Sequence, residues 1–97
     1  MAQLHSQLGE PAQALPYAQR ATRLNPDAQP AWSNLAVTYS MLGRWEGAIN
    51  AYRMAAELGE LDDPVLLGLA DAHIRMGNYG RAINTLETLM RRSPTAT

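Results

Sequence analysis

The sequence contains no lysine and no cysteine among its 97 residues. The absence of lysine excludes a lysine nucleophile or Schiff-base chemistry, and the absence of cysteine excludes disulfides, thiol catalysis and thiolate metal sites. Eight arginines against nine acidic residues give a formal net charge of −1. This balance selects neither nucleic acid nor an anionic membrane surface as a partner.

Long apolar runs and targeting signals are absent as well. No stretch approaches the roughly 20 apolar residues that a membrane helix requires. Residues 1–8 have neither the basic region nor the uninterrupted apolar segment of a secretory signal. We therefore expect a cytoplasmic protein with no membrane partner. The length suits one small domain over residues 1–97 and leaves little room for a cofactor-bearing enzyme.

What the sequence does contain is an internal repeat with an interval of 34 residues. Gly9, Gly43 and Gly77 fall at this interval, and such a column of three glycines is hard to obtain by chance. A period of this length is typical of stacked arrays of one structural unit. Other columns at the same interval are Leu8, Leu42 and Met76; Pro11, Trp45 and Tyr79; and Ala14, Ala48 and Ala82.

The apolar spacing within each unit predicts a helical hairpin. Trp32, Leu35 and Tyr39 follow the three-four spacing of a helix, and the pattern resumes at Trp45. Gly43 lies at the break, where glycine is favoured because it enters the left-handed region without a Cβ clash. The pattern predicts no strand and six helices, at residues 2–8, 11–24, 29–42, 45–58, 64–76 and 79–92, followed by a frayed tail at 93–97.

Two further expectations concern how these helices start and pack. Asp62 or Asp63 is expected to cap the helix that begins at Pro64. The small residues are expected where two helix backbones approach closely. They are Ala14, Ala36, Ala48, Ala70 and Ala82.

The second unit has a recognisable signature. It reads Trp32-x-x-Leu35-Ala36-x-x-Tyr39, followed by Ala48-x-x-x-Tyr52. This signature resembles the tetratricopeptide repeat (TPR) pattern, with alanine for the usual glycine and tyrosine for the usual phenylalanine. The resemblance divides the chain into a partial first repeat at 1–28, a second at 29–62 and a third at 63–97. Departures include Glu60, which stands where a proline is usual.

The resemblance implies an all-α, right-handed superhelical α-solenoid of antiparallel helical hairpins. In this family the first helices of the hairpins line a concave groove that holds a peptide or a helix of a partner protein. Helical phase predicts the same surface independently, because residues that do not face the interior must project elsewhere. The predicted groove residues are Gln3, Ser6, Gln7, Ser33, Asn34, Val37, Ser40, Met41, Leu67, Gly68, Asp71, Ile74 and Arg75.

Several of these residues have two interpretations. The Asn34 amide can bond both a peptide N–H and a peptide carbonyl, or it can simply be solvated. Asp71 and Arg75 form an i,i+4 pair that stabilises the helix, or they contact a ligand. Gly68 admits a ligand backbone, or its helix-weakening cost is merely tolerated. The apolar anchors of the groove would be Val37, Met41, Leu67 and Ile74.

One specialised activity of the resembled family has little support. Some of its members grip the C-terminal carboxylate of heat-shock chaperones with lysine, asparagine and arginine side chains. Only Asn34 matches that set, because Gln3, Pro64 and Gly68 occupy the positions that should be basic. We therefore do not expect this chaperone-binding activity.

No pattern predicts catalysis, a metal or a cofactor. His5 and His73 share a column with Tyr39, which indicates packing residues, and neither has further metal ligands at helical spacing. No serine has a nucleophile-elbow context. The arginines are too dispersed for a nucleic-acid stripe. The acidic stretch Glu57, Glu60, Asp62 and Asp63 predicts a solvated loop or, alternatively, a docking patch for a basic partner.

Two functions remain open at this stage. The first is a non-enzymatic protein-interaction module, part of a larger scaffold or assembly protein, that binds a partner in the groove. The second is a structural segment that forms a homodimer through uncapped ends, because the last helix has no following helix to cover its apolar side. The residues expected on that side are Ile83, Leu86, Leu89 and Met90.

Overall fold

A computed structural model describes residues 11–92 and places no strand among them. Three helices have the predicted bounds. The predicted helix 29–42 ends one residue earlier than expected, and the predicted helix 64–76 both starts and ends one residue earlier. The predicted helix 2–8 and the tail 93–97 lie outside the described residues. The helices are α1 (Pro11–Leu24), α2 (Gln29–Met41), α3 (Trp45–Leu58), α4 (Asp63–Arg75) and α5 (Tyr79–Arg92).

Two glycines end α2 and α4 in the same hydrogen-bonded turn. Gly43 has φ 75° and Gly77 has φ 80°, in the left-handed region. In the first turn the Arg44 amide donates to the Tyr39 carbonyl at 2.9 Å, and the Gly43 amide donates to the Ser40 carbonyl at 3.0 Å. The same two bonds recur 34 residues later, at 2.8 and 3.0 Å. They satisfy carbonyls that a helix end leaves free, and they reverse the chain into the hairpins α2–α3 and α4–α5.

The start of α4 corrects the prediction of an aspartate cap. Asp62 precedes the helix, but its side chain makes no capping hydrogen bond. Pro64 is the second helical residue and has no N–H to donate, while the Asp63 carboxylate accepts a hydrogen bond from Arg92 at 3.3 Å. The first turn is instead closed by the Leu66 amide, which donates to the Asp62 carbonyl at 2.9 Å.

Four of the five predicted alanines are buried where the helices approach one another, and Ala14 is exposed. Ala36, Ala48, Ala70 and Ala82 are each no more than 2% exposed. Without longer side chains, the backbones of α2 and α3, and of α4 and α5, can pack closely. The helix expected to face Ala14 is the one at 2–8, outside the described residues.

Within residues 11–92, many of the buried residues form two clusters along the stack of helices. One contains Leu35, Ala36, Ala48, Ala51 and Tyr52. The other contains Ala55, Leu61 and Leu66, and Leu89 of α5 packs against it.

The contact made by Leu89 corrects the expected surface of the last helix. Leu89 lies seven residues after buried Ala82, so the two share the inner face of α5. The prediction that Leu89 lies on the uncovered side was wrong. Ile83 and Met90 do lie on that side and are largely exposed, while Leu86 is half-buried.

His73 is buried inside the second complete hairpin, as predicted for a packing residue. It is 5% exposed, and its Nδ1 atom has no hydrogen-bond partner among the described residues. Burial lowers the pKa of His73, since the imidazolium would lose its water, and the positive charges of Arg81 and Arg53 lower the pKa further. The folded chain therefore holds this side chain neutral.

We predict that stability falls on the acid side of neutrality because of His73. In the unfolded chain its pKa is about 6.5, so the unfolded state takes up the proton at a higher pH than the folded state. The contribution is fully present above about pH 6.5 and is lost as the pH falls toward the lower folded pKa. Urea unfolding of the wild type and of His73→Leu over this range measures the effect. The variant should lose less stability on acidification, and identical pH profiles would contradict the assignment.

Candidate partner-binding surface

The structure brings the described part of the predicted groove onto two neighbouring helices. α2 and α4 contact each other, and each contributes five of the predicted residues. The predicted residues Gln3, Ser6 and Gln7 lie outside the described residues. We call the other ten the groove set: Ser33, Asn34, Val37, Ser40, Met41, Leu67, Gly68, Asp71, Ile74 and Arg75.

Four large apolar side chains of the groove set are exposed. The exposed fractions are 41% for Val37, 63% for Met41, 55% for Leu67 and 43% for Ile74. None of the four belongs to either buried cluster. Single exposed apolar residues are ordinary, but a group of them on adjacent helices marks a surface that can bind another molecule. Asn34, one turn before Val37 on the same helix, is also exposed.

The two charged residues of the groove set interact with each other and with a tryptophan. Arg75 Nε lies 3.5 Å from Asp71 Oδ1 in the predicted i,i+4 pair. The guanidinium carbon of Arg75 also lies 5.2 Å from the centroid of the Trp45 ring, which is a cation–π distance. Sequence reasoning missed this contact, because the repeat spacing aligns equivalent residues and does not show which residues of successive repeats touch.

Gly68 is explained by the side chain beneath it. Tyr52, from α3, is 2% exposed, and a Cβ at Gly68 would lie 3.1 Å from its Cζ and closer still to its hydroxyl oxygen. An alanine would therefore collide with the phenol. Neither interpretation of Gly68 from the sequence included this contact, since tyrosine and glycine are 16 residues apart on different helices.

The Tyr52 hydroxyl lies at a small polar site between α2 and α4. Burial raises the pKa of Tyr52, the Ser40 hydroxyl beside it acts to lower the pKa, and Asp71 acts to raise it. The phenol therefore stays neutral and can donate a hydrogen bond. Ser40 Oγ is itself buried, with no hydrogen-bond partner of normal geometry among the described residues. Ser40 thus faces the interior more than the groove.

We predict that Gly68→Ala destabilises the chain although alanine favours helices. The clash with Tyr52 should cost about 1–3 kcal/mol, more than the gain of up to about 1 kcal/mol in helix propensity. Tyr52→Phe removes the hydroxyl, so the added cost of Gly68→Ala should shrink in that background. A double-mutant cycle by urea unfolding measures this coupling. Additive effects would show that the two residues do not meet as described.

An open hollow lies next to the Arg75 end of the groove set. It has a volume of about 460 Å³ and is lined by Tyr39, Trp45 and Met76 among others. Gly47 lets the Tyr39 ring lie close, since a Cβ there would be 3.1 Å from the ring. Glycine at this position therefore serves packing between α2 and α3.

The acidic stretch is partly neutralised by an arginine from the end of α5. Arg92 donates to the Leu61 carbonyl and to Asp63, and it lies 4.0 Å from Glu60. On the other side, the Gln29 amide donates to the carbonyls of Glu60 and Ala55, both at 3.0 Å. Gln29 of α2 and Arg92 of α5 thus hold the connection between α3 and α4, where the sequence has Glu60 in place of the usual proline.

Residues 11–92 contain neither a candidate metal site nor a membrane-spanning helix. No group of three or more histidine, cysteine or acidic residues converges there as a metal site would require. No helix in this range is long and apolar enough to cross a membrane.

Helical hairpins repeated at a fixed interval define an all-α helical repeat protein. A sequence model described as tetratricopeptide repeat matches residues 1–63, and a second with the same description matches residues 43–96. The chain belongs to the tetratricopeptide repeat family, which confirms the prediction from the repeat signature. It is also 32% identical over 77 residues to Superkiller protein 3 of Schizosaccharomyces pombe (strain 972 / ATCC 24843). That match covers 79% of the chain and 6% of the yeast protein.

Proposed function

We propose that the chain is a non-enzymatic module that binds a peptide or helix of a partner protein on the groove set. The observation that supports this most is the group of four exposed apolar side chains on the adjacent helices α2 and α4. Tetratricopeptide repeats are generally protein-interaction modules and form a non-catalytic family. Whether this chain serves a larger scaffold in the cytoplasm stays a prediction, as does its action as one unit over residues 1–97.

The arrangement suits recognition of a segment by surface burial. Apolar area removed from water contributes about 25 cal/mol per Å², so several large side chains covered together give a useful affinity. The exposed Asn34 amide can orient the backbone of the bound segment. The helices that present these groups are held together by buried Tyr52, so the surface is formed before binding.

A charge placed in the groove set should abolish binding without unfolding the chain. Short random peptides displayed on phage can be selected against the immobilised wild type and then tested on variants. Val37→Glu and Ile74→Glu should each weaken binding by about tenfold or more, because a carboxylate would be desolvated without a partner. Ile83→Glu on α5 is the matched control, because Ile83 is exposed and lies outside the groove set.

Circular dichroism of all three variants checks that helicity and melting are retained. The proposal fails if the selected peptides bind both groove variants as well as they bind the wild type. It also fails if the control variant loses binding to the same extent, since the peptides would then be bound on α5.

Self-association is a second candidate, favoured by the outer face of α5. Tyr79, Ile83, Leu86 and Met90 follow a four-three-four spacing along one side of this helix. Tyr79, Ile83 and Met90 are more than half exposed. This candidate predicts a dimer at micromolar concentration by sedimentation, converted to a monomer by Ile83→Glu. A wild type that stays monomeric at high concentration would exclude it.

A further inference from the structure

The groove set has no net charge to offer a ligand. Its ionisable members are one acid, Asp71, and one base, Arg75, so their charges sum to zero. The five members on α2 include no ionisable side chain. Asp71 and Arg75 lie 3.5 Å apart, so each is already next to the opposite charge. A charged ligand group would have to compete with that contact.

Arg75 is engaged a second time by an aromatic ring. Its guanidinium lies over Trp45, with 5.2 Å between the carbon and the ring centroid. A carboxylate on a ligand would share Arg75 with Asp71 and Trp45, and the adjacent Asp71 carboxylate would repel it. This differs from a site that holds acidic peptides, where free cationic donors face the ligand.

The rest of the surface favours apolar and neutral polar groups. Val37, Met41, Leu67 and Ile74 offer apolar surface, and Asn34 offers an uncharged donor and acceptor. A charged side chain covered by these residues would lose water without gaining an opposite charge, which is unfavourable. An apolar side chain covered by them gains from burial on both sides.

We infer that the segment recognised by the groove set is uncharged and apolar along its contact face, rather than acidic or basic. The inference rests on the proposed function, since it specifies the partner of the same site. The charges support this inference, because the acid and the base of the surface are matched to each other and the four remaining large side chains are apolar.

The composition of selected peptides tests the inference. Random peptides displayed on phage are selected for binding to the wild type, and those that no longer bind the Ile74→Glu variant are sequenced. These peptides should be enriched in leucine, isoleucine, methionine and aromatic residues, with no excess of either charge. A synthetic copy of one such peptide should bind with a dissociation constant that changes by less than about twofold between low and high salt, because screening acts only on charges.

The alternative results separate this inference from the function on which it rests. One result would overturn the apolar partner and leave the groove as the binding surface. In that case the selected peptides carry a net charge, fail to bind the Ile74→Glu variant, and lose about tenfold or more in affinity as the salt concentration rises. Peptides that bind the Ile74→Glu variant unchanged would overturn both.

Discussion

The position of one buried side chain, Tyr52, determines the relation between the two helices of the groove set. Tyr52 belongs to α3, yet it packs with Leu35 and Ala36 of α2 and lies beneath Gly68 of α4. Its ring fills the space that a Cβ at Gly68 would need. Because α2 and α4 present all described groove residues, the distance between the two halves of the surface depends on this contact. The alanine contacts hold each hairpin together, while Tyr52 and the cluster of Ala55, Leu61 and Leu66 connect one hairpin to the next.

Two arginines are paired with other residues of the same chain, and this pairing affects which groups the surface can bind. Arg75 is paired with Asp71 and Trp45, and Arg92 is paired with the connection between α3 and α4. Exposed ion pairs of this kind stabilise a fold only slightly. For the groove set, the consequence is that its acid and its base are matched to each other. Apolar side chains are therefore the main groups available for recognition on α2 and α4.

Much of the fold could be predicted from the sequence because the repeat reports the same structure more than once. The glycine column located both turns, since only a residue without a Cβ enters the left-handed region at no cost. The alanine column located the close helix contacts. The aspartate cap and the position of Leu89 were wrong for a common reason. In both cases a residue of α5 makes a contact that a repeat interval does not contain: Arg92 bonds the Asp63 carboxylate, and Leu89 packs against the second cluster.

The groove set shows the same limit. Helical phase placed Val37, Met41, Leu67 and Ile74 outside the core, and all four are exposed. It could not show that Gly68 accommodates Tyr52 or that Trp45 lies under Arg75, because these contacts join different repeats. It also could not show that Ser40 Oγ is buried. Periodicity predicts which way a side chain faces on its own helix. The neighbour it meets is determined by the packing of one hairpin on the next.

The most direct measurement of the central claim is chemical-shift mapping by nuclear magnetic resonance. A peptide selected against the folded chain is titrated into isotopically labelled protein, and the backbone amides are followed residue by residue. Binding on the groove set predicts that the largest shifts fall within 33–41 and 67–75, with little change over 79–92. Shifts concentrated in 79–92, with the two groove segments unchanged, would contradict the account.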